Sequence, residues 1–166
     1  MTHIVHVLLP DIRSAYNVGS IFRSADCFGV SKIFLTGTTP QPIDRFGRNT
    51  TGPQKEIAKT ALGAEKSIPW EYSTEVKEIL KKSKRGGFHI VGVEQSAGSI
   101  SPSAFVKKIK TEKLQSILLI MGNEVSGISK DILKKCDSVI EISMKGEKES
   151  LNVAVCAGVV MYGICS

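Results

Sequence analysis

The sequence has no cysteine pair at metal-binding or redox spacing. Its four cysteines, Cys27, Cys136, Cys156 and Cys165, form no Cys-x-x-Cys, and His3, His6 and His89 are the only histidines beside them. No zinc-type ligand spacing emerges, so no metal is expected. Isolated cysteines of this kind are ordinarily small core residues in a reducing compartment. A long hydrophobic run is also missing, since the most apolar stretch, Leu151–Cys165, is too short to cross a bilayer. The opening MTHIVHVLLPD carries no basic leader, and its apolar run is broken by His6 and stopped by Pro10. It reads as a buried strand, not a signal peptide. These absences point to a cytoplasmic protein with no membrane partner. There is no P-loop, no dinucleotide glycine fingerprint, no internal repeat and no low-complexity segment. Acidic residues are the scarcer charge, 16 against 22 Lys and Arg, which leaves a formal charge of +6. That balance favours a polyanionic partner.

What remains is an ordinary globular composition, 42% hydrophobic and 23% charged, in 166 residues. The length suits one domain and is short for two. Aliphatic runs at Ile4–Leu9, Lys32–Leu35, His89–Val93, Ile117–Met121 and Val139–Ile142 are candidate strands. Their near-continuous apolar character fits strands buried on both faces of a parallel sheet. Helical patterns at Asn17–Phe28, Thr74–Lys84, Lys130–Lys135 and Leu151–Cys165 alternate with them, which argues an α/β layered fold. The segment from Thr38 to Trp70, with Arg45, Arg48, Lys55 and Lys59 among Pro and Gly, reads as a flexible basic surface loop.

The first helix places Val18, Ile21, Phe22, Ala25 and Phe28 on one apolar face. Asn17 is suited to cap its start and Gly29 to end it. Arg23 falls away from the packed face, free to meet solvent or a ligand. The last helix is apolar on nearly all sides and needs cover, from its own subunit or from a second copy. Asn152 is its one clearly polar side chain, and Val160 is expected on its outward side.

Three segments change the question. They are Asn17-Val-Gly-Ser-Ile-Phe-Arg23-Ser-Ala-Asp26, Leu118-Leu-Ile-Met-Gly122-Asn-Glu124-Val-Ser-Gly127, and Ile140-Glu-Ile142-Ser-Met144 followed after a charged loop by Ser150-Leu151-Asn152-Val-Ala-Val155. Together, in this order and spacing, they resemble the three signature motifs of the SpoU (TrmH-type) RNA ribose methyltransferases of the SPOUT superfamily. The resemblance spans nearly the whole chain. Ser143 departs from it, standing where many members have proline, which leaves that strand's exit less rigid.

The resemblance implies an α/β parallel-sheet SPOUT fold with a C-terminal trefoil knot. It implies a single catalytic domain over residues 1–166 with no accessory RNA-binding domain, S-adenosyl-L-methionine as cofactor, and a homodimer acting on tRNA or rRNA. It places the cofactor against Val93, Glu94, Gly122, Ile142, Met144 and Leu151, where a flat apolar ring needs slot walls and a few main-chain bonds. The catalytic group it implies is Asn17, Arg23, Glu124, Ser150 and Asn152. For the matching arginine the family's proposals include general base. A guanidinium holds its proton too tightly for that, and a clamp on an RNA phosphate that also stabilises charge on the 2′-oxygen is physically easier. Two alternatives are a non-catalytic RNA-binding module on the same scaffold and a base-directed SPOUT methyltransferase. Loss of Arg23, Asn17 or Asn152 would mark the first, and all three are present.

Overall fold

The computed structural model describes residues 3–166; Met1 and Thr2 of the expected domain lie outside the described residues. Six strands form one parallel sheet, β1 (Ile4–Pro10), β2 (Lys32–Thr36), β3 (Trp70–Ser73), β4 (His89–Val93), β5 (Ser116–Met121) and β6 (Ser138–Ile140). Their spatial order is β3-β2-β1-β5-β4-β6, and every pairing is parallel. Helices connect them: α1 (Ala15–Phe28), α2 (Gly52–Ala61), α3 (Ala64–Ser67), α4 (Val76–Arg85), α5 (Pro102–Glu112), α6 (Lys130–Leu133) and α7 (Val153–Cys165). Alternate strand residues face opposite sides, as the pleat requires. Val5, Val7, Leu9, Ile117, Leu119 and Met121 join the larger core with α1 and α7. Leu8, Phe34, Ile90, Leu118 and Ile120 join a second core with Ile79 and Leu80 of α4. Coverage of both faces is why these strands read as unbroken apolar runs.

The structure moves several expected boundaries. The start of α1 is capped by Ser14, whose hydroxyl accepts the Asn17 N–H at 3.3 Å, so Asn17 lies inside the first turn with its amide free for other partners. Gly29 ends that helix as expected, at φ 73°. The last helix begins at Val153, with Asn152 outside it as its cap. Val160 is fully buried, and the outward residues of α7 are Val155, Val159 and Tyr162. Ile142 lies beyond the end of β6.

The basic segment 38–70 is less irregular than it reads. Thr51 and Gln54 form a capping box around Pro53 at the start of α2, which buries Ile57 and Ala61 against α1. Proline there opens a helix and breaks nothing. Besides α2 and the short α3, two elements went unanticipated. The half-buried edge strand β3 is too short and polar to show a pattern. Helix α5 starts at the Ser101 cap and buries only Phe105 and Ile109.

His6, half-buried on β1, stacks on Phe88 with ring centroids 4.4 Å apart and meets Phe34 edge-on. Burial, aided by the nearby Lys32 charge, lowers its pKa from 6.5 to about 4. The unfolded chain therefore takes up this proton first as pH falls, and stability drops between about 6.5 and about 4. His6→Phe should flatten that part of the pH–stability curve, as followed by urea unfolding. An unchanged slope would mean that other groups set it.

Candidate active site

The ends of β4, β5 and β6 open into a cleft of about 540 Å³ at the carboxyl edge of the sheet. That edge is where parallel sheets expose loop backbone to ligands. The loop after β5 is built tightly. Asn123 and Gly127 exchange backbone hydrogen bonds, and the Asn123 side-chain oxygen accepts the Val125 and Ser126 N–H groups. Gly127 sits at φ 63°, where a Cβ would lie 2.0 Å from a carboxylate oxygen of Glu94. That carboxylate accepts the Ile128 N–H at 2.7 Å and the Gln95 N–H at 2.9 Å. Glycine is thus required on two counts, backbone and space. The segment 143–150 closes the other side, tied by the Gln95 side-chain amide donating to the Glu149 carbonyl at 2.6 Å.

At the cleft's rim the three motifs meet through their polar side chains. The Asn17 amide donates to the Glu124 carboxylate at 2.9 Å, and the Asn152 amide donates to the Asn17 side-chain oxygen at 3.1 Å. The Asn152 oxygen in turn caps α7 by accepting the Ala154 and Val155 N–H groups. Glu124 also accepts the backbone N–H groups of Arg13 at 3.0 Å and Ser14 at 3.2 Å. Partial burial raises the pKa of Glu124, but the bonds from Arg13, Asn17 and Ser14 outweigh it and leave the net shift downward. This carboxylate stays ionised and already satisfied, which suits orienting Asn17 better than collecting a proton.

Nine of the eleven expected residues line the cleft: Val93, Glu94, Gly122, Glu124, Ile142, Met144, Ser150, Leu151 and Asn152. Asn17 joins them through its two side-chain bonds. Arg23 does not. It is exposed on α1, about 9 Å further along the axis than Asn17, and has no ion pair among the described residues. Sequence reasoning missed Arg13 and Ser14, whose backbone holds Glu124, and Gln95, which straps the charged loop. Ser14 carried a signal, since serine caps a helix as well as asparagine does.

The profile of the SpoU rRNA methylase family matches residues 4–162. The chain belongs to that family. A Bacillus subtilis protein, YacO, named for the TrmH family of tRNA/rRNA methyltransferases, is 28% identical over 158 residues, 95% of this chain and 57% of its own. The chain thus spans little more than half the length of that curated relative. Among solved structures, the AdoMet-bound rRNA methyltransferase from Sinorhizobium meliloti superposes with a TM-score of 0.81 at 23% identity, over 99% of this chain and 56% of that one. The A. aeolicus TrmH/SpoU tRNA modifying enzyme gives 0.77 at 23% identity, over 97% and 73%. At such identities these two establish the SpoU-type fold and no more. Among the described residues no helix is long and apolar enough to cross a membrane, and no cluster of three metal-ligating side chains occurs.

Proposed function

We propose that the protein transfers the methyl group of S-adenosylmethionine to a ribose 2′-hydroxyl of tRNA or rRNA, in the cytoplasm. The observation that carries this reading is the bonded series Glu124–Asn17–Asn152, which joins three distant motifs at the mouth of one cleft. The cleft suits the cofactor. Val93, Ile142, Met144 and Leu151 offer apolar walls for adenine, and Gly122, whose absent Cβ lets Gly127 and Glu94 approach to 3.1 Å of its position, lines the cleft beside them. Each Glu94 oxygen accepts one backbone N–H and keeps a lone pair for a ribose hydroxyl. When bound, S-adenosylmethionine would supply a sulfonium methyl whose S–C bond breaks as the bond to the 2′-oxygen forms, the neutral thioether leaving and the hydroxyl proton passing to water.

The chain's own residues then align the oxygen. Asn17, held by Glu124 and Asn152, and Ser150 orient the RNA ribose. Arg23 clamps a phosphate and stabilises charge developing on the 2′-oxygen. Because Arg23 lies off the cleft, RNA or a second subunit must close the distance. The test is mass spectrometry of nucleosides from RNA of cells lacking the gene. A missing 2′-O-methylnucleoside supports the reading and names the product, whereas a missing base-methylated nucleoside overturns the ribose assignment.

The same reading includes a homodimer and a knotted C-terminal segment. Val155, Val159 and Tyr162 recur at helical spacing and leave an apolar strip of α7 in water, 53%, 46% and 61% exposed. Val159→Glu should convert a dimer into folded monomers in sedimentation experiments. Val160→Glu, by contrast, buries a charge and should unfold the chain. A native protein sedimenting as an active monomer would sink the dimer.

A further inference from the structure

We propose that the loop between β2 and α2 is a docking platform for an unpaired RNA base, which stacks on Phe46 while Arg45 and Arg48 hold the flanking phosphates. The identity of the ligand as RNA rests on the function proposed above; the platform itself is a separate structure outside the cleft. Phe46 is 63% exposed and contributes to neither core. The Arg45 and Arg48 guanidinium carbons sit 4.7 and 4.8 Å from its ring centroid. A large aromatic ring held 63% exposed in water beside two cations is poor packing. It is a ready stacking surface for a base whose backbone is anionic.

The tip is preorganised. The Asp44 carboxylate accepts the Phe46 N–H at 2.8 Å, the Arg48 N–H at 2.9 Å and the Arg48 Nε–H at 2.9 Å. Backbone bonds from Asp44 to Arg48 and from Gly47 to Asp44 close the turn, with Gly47 at φ 76°. Those bonds draw the Asp44 carboxyl below its ordinary pKa, the Arg48 N–H foremost among them. Asp44 thus consumes part of the Arg48 charge, while Arg45 has no ion pair among the described residues. Beneath the tip lies a hollow of about 330 Å³ walled by Pro40, Ile43, Arg45 and Pro53, with room for a sugar or base edge.

The base of the loop is tied to the cleft through one residue. The loop leaves the carboxyl end of β2, and its Thr38 N–H donates to the Asp11 carboxylate at 2.9 Å. The Asp11 carbonyl accepts the side-chain amide of Asn123, from the turn that lines the cleft. One residue therefore links the base of the loop to the proposed methyl-transfer site. Sequence-tolerant stacking on an aromatic ring is how proteins hold single-stranded or looped RNA, and paired bases are not free to do it.

The test uses fluorescein-labelled 12-nucleotide single-stranded RNA and a blunt RNA duplex as probes in anisotropy titrations. Phe46→Ala should weaken single-strand binding roughly tenfold, with little change for the duplex. Phe46→Trp should restore binding, and its fluorescence should be quenched by the single strand and not by the duplex. The platform is overturned if Phe46→Ala binds the single strand like the native protein, or if the tryptophan is not quenched. If native protein methylates cellular RNA while these variants bind normally, only the platform falls. If native protein binds neither probe and methylates nothing, both readings fall. A change in sedimentation on Phe46→Ala would reassign the tip to contacts between copies and overturn it as well.

Discussion

Arg23→Ala is expected to lower single-turnover methylation by roughly a hundredfold or more while S-adenosylmethionine affinity stays near native. The size follows from removing one donor to a developing oxyanion once RNA or a second subunit has brought it into place, a loss that typically costs about a hundred- to a thousandfold. The selectivity follows from position, because Arg23 is exposed on α1 and lines no part of the cleft where the cofactor is proposed to lie. Arg23→Lys is the more discriminating variant. It keeps the charge but loses the planar fork that holds a phosphate and the 2′-oxygen together. Lysine should recover only a small part of the rate. Near-native turnover with lysine would show that plain charge is sufficient. A loss confined to RNA affinity, with normal rate at saturating RNA, would make Arg23 a binding residue only.

The second large effect is expected at Gly127. Alanine there would hold a left-handed backbone at a cost of about 1–2 kcal/mol. Its Cβ would also displace the Glu94 carboxylate, which otherwise approaches to 2.0 Å of that position. Loss of the charge-assisted bond that the Ile128 N–H donates to Glu94 adds about 1.5–3 kcal/mol. Together these destabilise the folded chain by about 2.5–5 kcal/mol, read by urea unfolding. The displaced Glu94 should weaken S-adenosylmethionine binding roughly tenfold or more, measured by calorimetry. Gly98→Ala is the control, since Gly98 has a similar φ of 84° but nothing within 4 Å of its Cβ position. If the two variants lose affinity equally, crowding of Glu94 is not the cause and the role given to Glu94 is wrong.

How far the sequence was readable depended on where each residue's partners lie. Strand β5 was plain because it is buried on both faces and all of Ile117–Met121 is apolar. Helix α1 was plain because Val18, Ile21, Phe22 and Ala25 repeat at its period. Helix α5 was not, since only Phe105 and Ile109 are buried and its other positions are exposed or half-buried, too few apolar residues to show a face. The site residues of the second and third motifs meet in the cleft because the end of β5 fixes Gly122 and Glu124, the end of β6 leads into Ile142, and the start of α7 holds Asn152. The capping of α1 misled, because Ser14 and Asn17 are equally good caps and the choice was made elsewhere. Glu124, more than 100 residues away, takes the Asn17 amide and the Ser14 N–H at once. No local pattern encodes that bond. The arginine's distance from the cleft was likewise invisible, since helical periodicity gives direction on α1 and not what stands opposite.

The strand order also has a kinetic consequence. β1, β2 and β3 are neighbours in chain and in space, so their crossovers close over short stretches as they are made. β1's other edge waits for β5, whose Ile117 pairs with Val5 across more than 100 residues. Closing so long a loop is slow compared with local helix formation. Refolding should therefore pass first through a half-sheet built from residues 4–73, with the unpaired edge of β1 open to other chains. Binding competence, which needs the ends of β4, β5 and β6 together with Asn152, belongs to the last event. A ligand that recognises only the finished cleft would then pull the final step forward, and crowded, ligand-poor refolding would favour aggregation through β1.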